Sequence, residues 1–240
     1  MTDLKNITLA KGQHAGDCDD PERCLFEWYN FLARAEHTDR CPPGVSPVLH
    51  VFGMRLNDAL PDDRRQELKR YLPNGTSPLA GTAKDGKDTT RGYIALDWLI
   101  RTSTPAWLDL AGLTADAAAL RDLRRVDGSA AVKAAGPVVR DARGHAADSY
   151  AAYAAYAAAA AYTDAYAAAA AAADTAYTAY TAAAAAAYTA YAAYTAAARA
   201  AAAYTAAAYT YAYTDTIAEL QASAIGLYDV LIRGEWPGEQ

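Results

Sequence analysis

"YTAYTAAAAAAYTAYAAYTAAAR" occupies residues 177–199, inside a run from Tyr150 to Thr214 that is alanine, tyrosine or threonine at every position except Asp164, Asp174 and Arg199. Alanine is the best helix former, so the local preference of the whole run is helical. The informative variable is where the tyrosines point. Advancing about 100° per residue from Tyr150, the side chains of Tyr162, Tyr166, Tyr177, Tyr180, Tyr188, Tyr191 and Tyr194 fall in one sector between about 80° and 200°. Tyr209 and Tyr213 return to it. Thr178, Thr181 and Thr189, with Asp164 and Asp174, fall mostly in the neighbouring sector of about 220–320°. Tyr150, Tyr153, Tyr156, Tyr204 and Tyr211 drift off the stripe, so packing is expected to change near the ends of the tract. Tyr166, Tyr177 and Tyr188 repeat at eleven residues, as do Thr178 and Thr189. That period lies close to the natural twist of an α-helix and keeps a stripe nearly straight.

A continuous helix of ~80 residues would reach on the order of 120 Å at 1.5 Å per residue. Left bare, its tyrosine stripe would be a large wet apolar patch, which soluble monomers avoid. The stripe is therefore expected to be covered. The arm is either straight and paired with another copy, laid along the rest of the chain, or folded back as a helical bundle. Alanine allows close helix approach, and tyrosine adds bulk while keeping its hydroxyl near water or a partner. Such a surface suits contact rather than chemistry.

Working outward, the chain reads as all-α: a flexible leader (1–19), a compact helical head (20–130), the Ala/Tyr/Thr-rich helical arm (131–215), and a C-terminal helix and tail (216–240). "DPERCLFEWYNFLARAEH" (20–37) has Asp20 as a cap, Pro21 in the first turn, and Leu25, Trp28, Tyr29 and Leu32 at i, i+3, i+4, i+7. After the breaker "RCPPGVSP", residues 48–60 carry Val48, Val51, Phe52 and Leu56 at helical spacing. "PDDRRQELKRYL" (61–72) reads as a short helix with Leu68, Tyr71 and Leu72 as its apolar side. "PNGTSPLAGTAKDGKD" (73–88) is turn chemistry and is expected to be exposed. Residues 89–103 form a central helix through Ile94, Leu96, Trp98, Leu99 and Ile100, which Pro105 ends or kinks. Residues 114–126 open on Thr114 as a cap, and "DGSAAVKAAGPVV" reads as a joint. In the closing helix Ile217, Leu220, Ala224, Leu227 and Leu231 form a face expected to dock on the head.

The 240 residues carry a net charge of −6, which argues against general nucleic-acid binding and against an anionic membrane surface. The N-terminus lacks the apolar region of a signal peptide, and the alanine tract lacks Leu, Ile, Val and Phe, so no membrane span is expected. The expected location is the cytoplasm. The three cysteines, Cys18, Cys24 and Cys41, are an odd set without an export signal and read as reduced thiols.

No catalytic, cofactor-binding or metal-ligating set stands out. Cys18, Cys24, His37, Cys41 and His50 have the right atoms for zinc but match no closed-site spacing, so packed cysteines are the expected reading. His145 beside Arg143 and Asp148 lacks a nucleophile and reads as an exposed helix start. Arg64, Arg65, Lys69 and Arg70 alternate with Asp62, Asp63 and Glu67, which reads as a solvated helix face. Arg121, Arg124 and Arg125 sit where a helix C-terminus favours cations. Phosphate-loop, nucleophile-elbow and H-E-x-x-H motifs are absent.

"CPPGVSPVLHVFGMRLNDALPDDRRQELKRYLP", "ALDWLIRTSTPAWLDLAGL" and "AELQASAIGLYDVLI", flanking an alanine-rich repeat, together resemble a family of uncharacterised actinobacterial and actinophage proteins. The resemblance covers about residues 24–126 and the closing helix. Its arms are punctuated by Trp, Asp and Arg, whereas here the punctuation is mainly Tyr and Thr. It implies a variable arm on a recurrent head, hence a binding role, and supplies no activity or cofactor. The sequence thus points to a non-enzymatic helical scaffold or interaction module, with itself or another protein as partner and the seven tyrosines as interface. Two alternatives are an ice- or surface-binding helix, from the threonine pair at eleven residues, and an enzyme with an unrecognised site in the head.

Overall fold

A computed structural model describes residues 4–12, 22–35, 38–148 and 210–238. Among them every regular element is helical and no β-strand forms. Their contacts divide the chain at Asp88, inside the segment read from sequence as one head, into an N-terminal unit, Met1–Asp88, and a C-terminal unit, Thr89–Gln240.

In the N-terminal unit α1 runs Leu25–Leu32 and buries Leu25, Trp28 and Tyr29. It is shorter than the 20–37 expected, and its cap is Cys24 rather than Asp20. Glu27 explains the start: its carboxylate accepts the Cys24 backbone N–H at 2.7 Å, satisfying a donor that the first turn leaves open. The end is set by Arg34, whose φ of 57° turns the chain out of the helix.

Helix α2 (Pro47–Ala59) starts on Ser46, whose side chain accepts the Leu49 N–H, and buries Val48, Phe52 and Leu56. Segment 61–72 is helical as expected but tightens, with α3 (Asp62–Arg65) passing into a 3-10 stretch, Gln66–Tyr71. Leu68, Tyr71 and Leu72 are its buried side. Arg65 departs from the expected solvated face and is 3% exposed.

Residues 7–10, read from composition as part of a flexible leader, are packed, with Ile7 and Leu9 each 1% exposed. One parallel backbone bridge pairs Leu9 with Arg23, the Ala10 N–H donating to the Arg23 carbonyl at 2.9 Å, and side-chain amides hold the rest. Gln66 exchanges two hydrogen bonds with the Leu9 backbone, at 2.9 and 3.0 Å. Asn57 accepts the Leu25 N–H and donates to the Ala10 carbonyl. These bonds satisfy backbone groups that burial would otherwise leave unpaired. The 73–88 loop is likewise not exposed throughout. Leu79 and Thr82 are buried, Thr82 accepts the Ser46 N–H at 2.9 Å, and the Ser46 hydroxyl donates to the Asp88 carboxylate.

The C-terminal unit is built from α4 (Asp88–Trp98), α5 (Thr104–Leu110), α6 (Thr114–Arg121), α7 (Ser129–Asp148) and α8 (Thr210–Arg233). Pro105 neither ends nor sharply interrupts the path from α4 to α5. Residues Leu99–Ser103 widen into a π turn, in which the Thr104 N–H reaches the Leu99 carbonyl. The wider turn accommodates a residue that has no N–H and whose ring crowds the preceding turn. Helix α6 is preceded by Leu113 at the cap position, so Thr114 is its first helical residue rather than its cap.

The expected joint at 127–139 is instead the first half of α7, which carries Pro137 within it. Val132, Ala135, Val139, Ala142 and Ala146 follow a helical period and pack with Leu96, Leu99, Ile100, Leu108 and Leu120 in one core. Burying a valine is worth roughly 1.5–3 kcal/mol. A few such contacts on both sides of Pro137 offset the ~3 kcal/mol that a proline costs inside a helix.

Candidate functional site

The seven tyrosines expected to form an interface, Tyr162, Tyr166, Tyr177, Tyr180, Tyr188, Tyr191 and Tyr194, lie outside the described residues. The helices on either side of the tract do not, and both are fastened within the C-terminal unit. On the approach, the Ala142 and Ala146 side chains of α7 enter the core, and exposed His145 places Nδ1 2.8 Å from the Asp116 carboxylate of α6. The sequence suggests a helix start for His145, with Arg143 and Asp148; in the structure it lies near the end of α7, beside Asp116.

On the return, the ring of Tyr213 in α8 lies 6.2 Å from that of Trp107 in α5, centroid to centroid. Further along α8, the Trp98 indole N–H donates to Ser223 at 2.8 Å. Leu220, Ala224, Leu227 and Leu231 are buried as the spacing predicted. Arg91, fully buried, donates from Nε to the Leu231 carbonyl at 2.8 Å and from a terminal nitrogen to the Ile232 carbonyl at 3.3 Å. Beyond it Gly234, with φ of 61°, turns the chain and donates to the Val230 and Leu231 carbonyls.

Of the sulfur and imidazole candidates, Cys18 and His37 lie outside the described residues. Among the described residues no three His, Cys, Asp or Glu side chains gather as a metal would require. Cys24 is buried, and loss of hydration, with the Glu27 carboxylate adding to it, pushes its thiol up to about 12. Cys41 is exposed as a residue, but its sulfur turns back to the Val45 carbonyl at 3.4 Å. Desolvation, with Asp88 nearby, raises that thiol to about 11. His50 stacks edge-on against Phe26 and bonds the Asp39 carbonyl at 2.6 Å, and burial lowers its pKa.

These thiols should be inert. At pH 8 the thiolate fraction of Cys41 is on the order of 0.1%, against roughly 10% for a thiol with an unperturbed pKa near 9. Iodoacetamide labelling followed by peptide mass mapping should therefore find Cys41 alkylated about 100-fold more slowly than in urea, and Cys24 more slowly still. Labelling of either at the denatured rate would contradict the environments described.

A second region was not legible in the sequence. In the N-terminal unit, a groove of about 1160 Å³ opens between the end of α1, with Tyr29, Phe31 and Arg34, and the turn Pro73–Ser77. Arg34, the one cation among its described lining residues, comes from a segment read as ordinary helix, and its far wall from a segment read as plain loop. The arginines that sequence reading did single out serve elsewhere. Arg65 is buried, and Arg125 pairs with Asp127 and lies 4.7 Å over the Trp236 ring.

No helix among the described residues is long and apolar enough to cross a membrane. No protein-family model, curated protein or solved structure matches the chain.

Proposed function

We propose that this protein is a non-enzymatic, cytoplasmic interaction module in which the C-terminal unit holds the Ala/Tyr/Thr-rich arm, and the tyrosine stripe of that arm is the contact surface. The observation that carries this reading is the anchoring of both bracketing helices. Ala142 and Ala146 of α7 and Tyr213, Ser223 and Leu231 of α8 are all fixed against one unit. A straight helix over the intervening residues would separate its ends by roughly 90 Å, so anchoring at both ends favours an arm that doubles back. Alanine faces permit the close helix contact this needs, and whatever part of the tyrosine stripe such a hairpin leaves uncovered is available for contact. The remaining area is the interface, and a second copy of the chain is its first candidate partner.

Light scattering coupled to size exclusion tests this on the full-length protein. The wild type should associate in a concentration-dependent way, and Tyr177→Ala with Tyr188→Ala should weaken that association by at least tenfold while leaving the helical circular dichroism near its starting value. A wild type that stays monomeric at about 100 μM, where an association of about 10 μM Kd would be evident, would sink self-association.

A further inference from the structure

Arg34 is the one described residue other than glycine with a positive φ, 57°. Its position explains the angle. The Arg34 N–H returns to the Phe31 carbonyl at 3.1 Å and the Ala35 N–H to the Asn30 carbonyl at 2.9 Å, the paired bonds of a Schellman ending with Arg34 at its left-handed site. Glycine is the usual residue there because any Cβ is disfavoured in that conformation. The arginine is thus held at a cost that its backbone role does not require. Its side chain is exposed, and among the described residues no hydrogen bond or ion pair engages the guanidinium, although the chain has 28 acidic residues against 22 basic ones.

Arg34 is also one of the residues that line the groove. Tyr29, Phe31 and Leu32 supply one wall, and among the described residues no acidic side chain lines it. On the other side the Asn74 N–H closes onto the Thr76 carbonyl at 3.4 Å around Gly75, leaving the Asn74 and Thr76 side chains exposed. Among the described residues the groove thus combines an apolar wall, a wall with amide and hydroxyl groups, and one cation, Arg34. Its volume of about 1160 Å³ exceeds the roughly 300–1,000 Å³ of small-molecule pockets and suits a few residues of extended chain.

We propose that this groove binds a peptide segment carrying a carboxylate beside apolar side chains, with the carboxylate on Arg34. A guanidinium fork matches a carboxylate in geometry and charge. The aromatic wall takes the apolar side chains, and the 74–76 turn offers hydrogen bonds to the peptide backbone.

The test uses isotope-labelled full-length protein and two pools of acetylated, amidated tetrapeptides. One has aspartate fixed at the third position among apolar residues; the other has asparagine there. The aspartate pool should shift amide resonances of residues 29–35 and 73–80, with binding about tenfold tighter than the asparagine pool. Arg34→Gly should raise Tm by about 4 °C yet remove the discrimination between the pools, which separates loss of binding from loss of fold. Three results would overturn the proposal. They are no shift from either pool at millimolar concentration, Arg34→Gly discriminating as the wild type does, or N-acetylaspartate alone binding as tightly as the peptides.

Discussion

Arg91→Ala is expected to lower the stability of the C-terminal unit by about 3–5 kcal/mol, near the upper end of what a single substitution does. Arg91 is completely buried, and its guanidinium reaches from the first turns of α4 to the Leu231 and Ile232 carbonyls at the end of α8. Those carbonyls belong to the last turn of a helix and have no intrahelical donor of their own, apart from the Gly234 N–H that also reaches Leu231. A buried cation there works against the negative end of the helix as well as against each carbonyl. Alanine would remove charge-assisted bonds worth about 1.5–3 kcal/mol each and leave the acceptors desolvated. It would also open a cavity the size of the arginine stem.

Arg91→Met separates the two effects, because it refills most of the volume and restores no donor; a loss of about 2 kcal/mol would assign that share to the carbonyls. Urea denaturation followed by circular dichroism measures the total, and hydrogen exchange at residues 228–234 localises it. A loss below 1 kcal/mol for Arg91→Ala would mean that the end of α8 is held by something else.

How far the fold could be read in advance follows from which forces are local. The helices with an apolar stripe at i, i+3, i+4 were legible: α2 through Val48, Phe52 and Leu56, and α8 through Leu220, Ala224, Leu227 and Leu231. Their boundaries and punctuation were less so. Pro105 and the Gly136–Pro137 pair look like breaks because proline lacks a donor. A π turn absorbs the first, and core contacts on both sides of the second carry α7 through it. Asp20 looks like the cap of α1 because aspartate often is, but Glu27 reaching back to Cys24 sets the cap four residues later, so the helix starts at Leu25, the first residue of its apolar run.

The groove was not legible at all. Its cation depends on a left-handed backbone at Arg34, where sequence favours glycine, and its two walls lie some forty residues apart along the chain. Nor can periodicity distinguish an arginine that faces water from one that faces carbonyls. The alternation Asp62, Asp63, Arg64, Arg65, Glu67 is the pattern of a solvated face, yet Arg65 is inside.

That inversion yields the second large expectation. Arg65→Ala should cost the N-terminal unit about 3–4 kcal/mol, whereas alanine at exposed Arg70, further along the same segment, should cost under about 1 kcal/mol. Arg65 Nε donates to the Asn57 carbonyl at 2.7 Å, and a terminal nitrogen donates to the Leu60 carbonyl at 2.7 Å. Both acceptors lie at the C-terminal end of α2, so Arg65 closes that helix from the next one. Its remaining terminal nitrogen meets Asp62 at 2.6 Å, but the Asp62 side chain is 94% exposed. Solvent screens that pair, and Asp62→Asn should therefore cost no more than about 1 kcal/mol.

Asn57 extends the effect, because the residue whose carbonyl Arg65 fixes also uses its side chain to hold the Leu25 N–H and the Ala10 carbonyl. Loss of Arg65 frees the Asn57 backbone and so loosens the support of both α1 and the 7–10 segment. Hydrogen exchange should register this as lost protection at the Leu25 amide, well away in sequence from the substitution, while Arg65→Lys, with one charge and no fork, should recover less than half of the stability. Equal stability for Arg65→Ala and Arg70→Ala would return Arg65 to the solvated face that its sequence context suggests.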